Sequence, residues 1–197
     1  HFLLPLGGMT KVHTRELAEK FKLPVAHKPD SQEICFVPHD DYKAYLREKN
    51  PSCLLPGDIV DRQGRVLGRH EGVPLYTIGQ RKGLGIAAAE PLYVVALDMV
   101  KNQVVVGAAG DVFASGLIAG DLNWIAVDEL TAPMRCAAKI RYGKNEGMAK
   151  LTPHADGRLQ VDFDENQRAV TPGQSVVFYD GDIVIGGGVI ETVMHHV

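Results

Sequence analysis

The sequence predicts a mainly β fold that begins with a short helical segment, and three observations lead to this prediction. Apolar residues in the first fifty positions recur at helical spacing. After Pro51 they fall instead into short runs rich in Val, Ile, Leu and Tyr, which Gly, Pro and Asp separate. Many short strands at such spacing are typical of small β-barrels and β-sandwiches.

Two short helices are expected before Pro51. Thr10 is a suitable N-cap for the first helix, the apolar residues that follow form one stripe, and Pro24 should end the helix. The second helix is predicted from about Asp40. The polar residues between the two helices predict a loop that leads into a short strand at 34–37.

The remainder of the chain predicts only strands and turns. Glycine-containing turns at 61–64 and 179–181 should close two hairpins. The predicted strands are Asp58–Asp61, Arg65–Gly68, Leu92–Leu97, Gln103–Val106, Leu122–Val127, Arg135–Ile140, Met148–Thr152, Leu159–Phe163, Ser175–Tyr179 and Ile183–Ile190.

The composition of the 197 residues is that of an ordinary globular protein, with 45% hydrophobic and 23% charged residues and a formal net charge of −3. This balance excludes a disordered tail, a collagen-like fibre and a long coiled coil. No apolar run approaches the ~20 residues that span a bilayer. Three cysteines without a Cys-x-x-Cys pair, and histidines without metal-ligand spacing, favour a cytoplasmic protein without a metal site.

Cys35 is the first candidate for chemistry. A single cysteine between two apolar residues is usually a small buried side chain, and composition alone favours that interpretation. However, the polar residues 30–33 precede it where a loop meets a predicted strand. An exposed thiolate at such a junction can act as a nucleophile or a sulfur carrier. Cys53 and Cys136 have no comparable setting and are interpreted as structural.

The segment Thr77–Gly85 is the second candidate. Its three glycines allow close backbone approach, and Arg81 and Lys82 can bind phosphate. The segment is neither a Walker loop nor a dinucleotide-binding fingerprint, because the spacing and the strand–helix context of those motifs are missing. A basic turn between two strands is an equally good interpretation of the segment taken alone.

Two basic stretches stand out from the acidic average of the chain. Residues 62–82 and 135–150 each contain five Lys or Arg and one Glu. Such stretches can follow a phosphate backbone, or they can be the solvated face of an edge strand. Arg141 and Tyr142 combine a phosphate-binding guanidinium with a ring that can stack on a base. Gln174, after a Pro-Gly turn, can donate to a nucleic-acid backbone, although a lone glutamine there is more often a solvated turn residue.

A series of short motifs runs along the whole chain. The motifs are Pro5-Leu-Gly, Thr10-Lys11, Arg15–Ala18, Leu23-Pro24, Asp30–Phe36, Pro56–Val60, Gly68–Gly72, Tyr76–Ile86, Arg141-Tyr142, Thr171–Gln174, Val177–Tyr179 and Gly186–Gly188. In this order they resemble the C-terminal half of the bacterial tRNA-specific 2-thiouridylases. The similarity covers essentially all 197 residues, and the combination is highly specific even though no single motif is.

The resemblance implies a function in tRNA modification. Enzymes of this family replace the 2-oxygen of the wobble uridine with sulfur, and an N-terminal ATP-pyrophosphatase domain uses ATP with Mg to adenylate the base at that carbon. A cysteine in an Asp-Ser-x-x-x-Cys-Phe motif carries a persulfide from a sulfur-relay protein or cysteine desulfurase, and a second cysteine completes the transfer. Cys35 matches the persulfide carrier. Arg141, Tyr142 and Gln174 match positions that contact tRNA, and we add Arg81 and Lys82 to this set.

The resemblance also implies an order of domains. Residues 1–48 correspond to the tail of the α/β ATP-pyrophosphatase domain with the persulfide-cysteine loop, 49–110 to a small central β domain, and 111–197 to a β-barrel similar to those of translation factors. The Ser-Gly-Gly-x-Asp-Ser phosphate loop of the family is missing, so we expect a fragment that is inactive alone and holds no cofactor itself. Two alternatives stay open: a stand-alone, non-catalytic RNA-binding β-barrel module, and a protein-interaction domain whose cysteines are all structural.

Overall fold

The fold is given by a computed structural model, which describes residues 3–28, 37, 41–142 and 146–195. The chain divides into two compact units, His1–Lys49 and Asn50–Val197. The first unit contains the helices and the second contains all the strands of the described residues, so the predicted mainly β class with a helical start is confirmed. None of the helices in the described ranges is long and apolar enough to cross a membrane.

The helical unit contains α1 (Lys11–Lys20) and α2 (Tyr42–Lys49), and no residue of either helix is buried. Thr10 is the N-cap of α1, as predicted, and its side chain accepts a backbone hydrogen bond from the first turn. Pro24 does not end this helix. The end is a Schellman-type turn at Lys22, whose φ of 53° lies in the left-handed region. Of the predicted strand at 34–37, only the last position lies within the described residues.

Four strands form a central sheet in the order β2-β1-β4-β3. They are β1 (Gly57–Asp61), β2 (Val66–His70), β3 (Tyr93–Asp98) and β4 (Gln103–Gly107). β1 pairs in parallel with β4, and the other neighbours are antiparallel. All four strands lie close to their predicted positions, because their β-branched residues alternate with turn residues clearly in the sequence. Branched aliphatic side chains fill the core of the sheet, among them Ile59, Val73, Val94, Val104 and Val106.

The other six strands close into a barrel in the order β10-β5-β8-β7-β6-β9, and all neighbours are antiparallel. They are β5 (Phe113–Trp124), β6 (Met134–Lys139), β7 (Gly147–Pro153), β8 (Leu159–Arg168), β9 (Ser175–Asp180) and β10 (Ile183–Met194). Alternate side chains of these strands point inward and fill the interior. The largest fully buried one, Phe178, stacks on Trp124 with ring centroids 6.0 Å apart.

β5 differs most from the prediction, which placed a strand only at Leu122–Val127. The strand begins at Phe113 and ends before Ile125. Five of the seven residues 114–120 are Ala, Ser or Gly, which have low β-propensity, so the sequence pattern gave no strand signal there. The same small residues permit close strand packing, since a Cβ at Gly116 would lie 2.6 Å from the carbonyl oxygen of Val161 on β8. The ends of β8 and β10 also extend beyond their predicted positions.

One end of the barrel, which we call the proximal end, faces the central sheet. Here β6, β8 and β10 finish and β5, β7 and β9 begin, because all neighbouring strands are antiparallel. The β6–β7 and β8–β9 connections lie at this end, and the chain enters β5 from the central sheet here. The proximal end therefore collects the loops that carry most of the predicted binding residues.

Candidate nucleic-acid interface

The segment Thr77–Gly85 forms a loop, the glycine-rich loop, whose tip carries Arg81 and Lys82. The three glycines have φ between 67° and 87°, a left-handed region that favours glycine. Both basic side chains are exposed, and neither has a carboxylate partner among the described residues. The loop therefore presents two uncompensated positive charges to solvent.

The glycine-rich loop is fixed on both sides of its tip. Ile78 and Leu84 are buried in the core of the central sheet. The side chain of Gln80 accepts a hydrogen bond from the Thr77 amide at 3.1 Å and donates one to the carbonyl oxygen of Lys82 at 2.9 Å. These contacts hold the backbone of the tip in one conformation. They therefore fix the backbone positions of Arg81 and Lys82.

Arg141 and Tyr142 follow β6 at the proximal end of the barrel. The partly exposed Arg141 donates from Nη2 to the carbonyl oxygen of Ala169 at 3.4 Å. Tyr142 is 99% exposed, so its ring contributes nothing to the core and has an open face for stacking. This pair therefore places a partly exposed guanidinium next to a fully exposed aromatic ring.

Gln174 closes the turn before β9. The turn has Gly173 at its third position with φ 84°, as the Pro-Gly sequence requires. The backbone of Gln174 accepts a hydrogen bond from the Ile190 amide at 2.8 Å, which continues the ladder toward β10. The side chain itself is exposed, so its amide is available to a ligand.

Three segments that lie far apart in the sequence meet around Arg168 and Ala169, where β8 ends. Arg168 donates from Nη2 to the carbonyl oxygen of Gly79 in the glycine-rich loop at 3.3 Å. The carbonyl oxygen of Ala169 accepts from Arg141 and also from the hydroxyl of Thr171 at 3.0 Å. The last residue of β8 and the residue after it therefore connect the glycine-rich loop, the end of β6 and the turn before β9.

The register of β6 and β9 brings two of these segments together independently. β6 pairs with β9 as far as Lys139 and Val177, so Arg141 follows the end of β6 at the same end of the barrel at which Gln174 precedes β9. We call the resulting area the proximal surface. Its side chains are Arg81, Lys82, Arg141, Tyr142 and Gln174.

Several other bases of the two basic stretches are compensated by carboxylates. The ion pairs are Arg62–Asp111, Arg65–Asp61, Arg69–Asp58 and Arg135–Asp164. Exposed pairs of this kind stabilise a fold little, but each cancels a charge that an anion would otherwise meet. Within the part of the chain that the structure describes, the bases of these stretches without a carboxylate partner are Arg81, Lys82, Lys139, Arg141 and Lys150. The charge available to a phosphate backbone is thus more localised than the sequence count predicted.

The predicted sulfur carrier Cys35 lies outside the described residues. The other two cysteines are free thiols in different settings. Burial in the barrel raises the pKa of the Cys136 thiol to about 11, so this thiol is protonated at neutral pH. Cys53 is partly exposed, in a short turn before the central sheet. Among the described residues, no three His, Cys, Asp or Glu side chains are placed to hold a metal ion.

Arg168 and Gln80 are the residues of this area that the sequence did not indicate. Arg168 lies five residues beyond the predicted strand Leu159–Phe163, in a run of polar residues that is typical of a solvated loop. Gln80 lies inside a motif that was noted for its glycines and bases. Their hydrogen-bond partners are backbone carbonyls and amides, which a pattern of residue types cannot reveal.

Three family models match consecutive parts of the chain. Residues 1–39 match the tRNA methyl transferase HUP domain, and residues 43–108 match the tRNA methyl transferase PRC-barrel domain. Residues 114–190 match the aminomethyltransferase beta-barrel domain, which corresponds to the closed barrel of β5–β10. Each of the three segments with uncompensated or stacking side chains falls inside one of the last two matches.

Curated relatives resemble the chain over nearly its whole length. It is 51% identical to the tRNA-specific 2-thiouridylase MnmA of Symbiobacterium thermophilum, over 97% of this chain and 49% of that protein. The protein of the same name from Halothermothrix orenii is 50% identical over 97% of this chain and 53% of its own length. The one from Acetivibrio thermocellus is 52% identical over the same shares. The chain thus spans about half the length of the curated relatives it matches.

Proposed function

The chain belongs to the family of bacterial tRNA-specific 2-thiouridylases, and from this premise we propose that it supplies the tRNA-binding and sulfur-carrying part of such an enzyme. The proposed reaction replaces the 2-oxygen of the wobble uridine with sulfur. The observation that carries the proposal is the convergence of three separate segments on the proximal surface. The substrate of the reaction is then the tRNA bound there.

The chemistry of the proximal surface suits RNA. Arg81, Lys82 and Arg141 have no carboxylate partner among the residues that the structure describes, so their positive charge can neutralise phosphates. Tyr142 offers an exposed ring for an unpaired base, and Gln174 an exposed amide for the backbone. Phosphate contact and stacking in one area favour RNA over a protein partner.

We propose that Cys35 carries the sulfur as a persulfide, which a sulfur-relay protein or cysteine desulfurase supplies. The support is the Asp-Ser-x-x-x-Cys-Phe motif and the polar residues 30–33 before it. Cys136 is unsuited to this role because its thiol is enclosed in the barrel and protonated at neutral pH. A persulfide carrier in this scheme works in the reducing cytoplasm, where tRNA is modified.

The glycine-rich loop and the described residues that follow it do not fit ATP. The glycine-rich loop lacks the Walker spacing, and the described residues 86–92 that follow it contain no helix whose N-terminus could bind a triphosphate. We therefore propose that ATP and Mg are bound by the part of the family's enzymes that these 197 residues do not cover. The proposed division of the chain remains 1–48, 49–110 and 111–197, with the sulfur carrier in the first part and tRNA binding in the other two.

The test of this proposal is a thiolation assay with protein that includes the ATP-binding part. Cys35→Ser should abolish the 2-thiouridine found by mass spectrometry of digested tRNA while leaving tRNA binding intact. Cys53→Ser is the matched control and should thiolate normally. Normal thiolation by Cys35→Ser would leave a non-catalytic RNA-binding module as the better description. The 197-residue chain alone should make no 2-thiouridine, and finding it there would contradict the assignment of ATP binding.

A further inference from the structure

We propose that Arg168 is a positioning residue for tRNA binding. In this proposal it does not touch tRNA but holds the glycine-rich loop against the barrel, so that Arg81 and Lys82 face the same ligand as Arg141. The inference rests on the proposed tRNA-binding function. It assigns a role to a side chain that no motif marks.

The first observation is the contact between Arg168 and the glycine-rich loop. Its Nη2 donates to the carbonyl oxygen of Gly79 at 3.3 Å, two residues before the basic tip. A Cβ at Gly79 would lie 3.1 Å from the Cβ of Ala169 and 3.5 Å from Nη1 of Arg168. A side chain at position 79 would therefore be crowded against Ala169, and the φ of 87° at Gly79 also favours glycine.

The second observation is the position of the guanidinium over Tyr93. The distance from Cζ of Arg168 to the ring centroid is 5.9 Å, within the range of a cation–π contact. Tyr93 begins β3 and packs against the core of the central sheet. One side chain of the barrel thus contacts both the loop and the sheet of the central region, and its Nη2 donor is used inside the protein.

The third observation is the backbone of the next residue. Ala169 is 2% exposed and has φ 58°, an uncommon conformation for a residue with a Cβ. Its amide donates to the carbonyl oxygen of Val112 at 2.8 Å, which fixes the residue beside the start of β5. Its carbonyl oxygen accepts from Arg141 and Thr171. Arg168 and Ala169 therefore hold the glycine-rich loop on one side and Arg141 on the other.

A positioning role and a direct phosphate contact predict different salt dependences. Each phosphate contact adds about 0.7–0.9 to the slope of log K against log salt. If Arg168 bound phosphate itself, Arg168→Met would lower the slope by one such step. If Arg168 positions the loop, the same substitution removes the contacts of Arg81 and Lys82 together. The slope should then fall by about two such steps, and the affinity should fall by about 15- to 30-fold.

The experiment measures binding of tRNA to the 197-residue chain across a salt series. The matched control is Arg158→Met, which removes one arginine from the distal end of the barrel, where Arg158 pairs with Asp156. Arg168→Met should also have no further effect in the variant Arg81→Ala/Lys82→Ala. The positioning role would be overturned if Arg168→Met lowered the slope of log K against log salt by only one step and did so also in the Arg81→Ala/Lys82→Ala variant. It would equally be overturned if Arg168→Met did not lower the slope at all.

Two further measurements cover the case in which Arg168→Met does not fold. Gly79→Ala leaves Arg168 in place but sets a methyl group against Ala169, and should reproduce the loss of affinity. Trypsin should cleave after Arg81 and Lys82 several-fold faster in both variants, because the loop is released. Unchanged cleavage and affinity in Gly79→Ala would contradict the proposal. If Arg81→Ala/Lys82→Ala itself binds tRNA normally, the proposed proximal surface fails; if it binds weakly and Gly79→Ala binds normally, only the positioning role fails.

Discussion

Replacing Arg81 and Lys82 by alanine should weaken tRNA binding without changing the fold. Both side chains are exposed and without a carboxylate partner in the described residues, so each can neutralise one phosphate. With a slope of about 0.7–0.9 per phosphate, counterion release at roughly 0.15 M salt contributes about 0.8–1 kcal/mol for each contact. Two contacts therefore correspond to about 1.6–2 kcal/mol, or about a 15- to 30-fold loss of affinity.

Fluorescence anisotropy of labelled tRNA over a salt series measures both quantities. The slope of log K against log salt should become less steep by about 1.4–1.8 in Arg81→Ala/Lys82→Ala. The control Arg135→Ala/Arg158→Ala removes the same formal charge from two arginines that pair with Asp164 and Asp156. It should leave the slope unchanged, because those charges are already compensated.

Two results would refute the reasoning behind this prediction. An unchanged slope in Arg81→Ala/Lys82→Ala would mean that the tip of the glycine-rich loop does not meet phosphate. An equal loss of affinity in the control would mean that overall charge, and not the proximal surface, governs binding. The melting temperatures of both variants should match that of the parent chain, since exposed substitutions change stability by only about 0.5 kcal/mol.

Three further predictions concern single side chains. Tyr142→Ala should weaken tRNA binding by about 1–3 kcal/mol, whereas Tyr142→Phe should bind tRNA as the parent chain does. Urea unfolding of Tyr142→Ala should be unchanged because the ring is 99% exposed. Equal losses of affinity in both variants would exclude stacking. Phe178→Ala should lower the free energy of unfolding by about 3–5 kcal/mol in urea, whereas the 98%-exposed Val100→Ala should change it by no more than about 0.5 kcal/mol. At neutral pH a thiol reagent should label Cys53 and spare Cys136, whose pKa is about 11. As the pH is raised toward that value, the thiolate fraction of Cys136 should increase tenfold with each pH unit. Rapid labelling of folded Cys136 at neutral pH would contradict its burial.

The sequence was sufficient for most of the elements because their signals are local. Thr10 marks the start of α1, and β-branched residues between turn residues mark the four strands of the central sheet. The sequence did not predict the first half of β5, because its small residues form a strand only through packing against β8, as at Gly116. The end of α1 depends on the left-handed backbone conformation of Lys22, which a lysine in the sequence does not predict.

The sequence names the candidate residues of the proximal surface but does not show how the fold brings them together. The bases, the tyrosine and the glutamine of the proximal surface follow from residue chemistry and from family motifs. That Gly79, Arg141 and Thr171 all bond to Arg168 or Ala169 depends on tertiary contacts with backbone atoms. The compensation of Arg62 by Asp111, 49 residues away, is equally invisible in a local count of charge.

The most direct test of the account is a hydrogen-exchange footprint of the chain with and without tRNA. The proximal surface predicts slower exchange in three segments at once, 77–85, 140–142 and 171–174, with little change at the distal turns 154–158 and 180–183. Protection confined to the distal turns, or to one segment without the others, would contradict the claim that these segments form a single tRNA-binding surface.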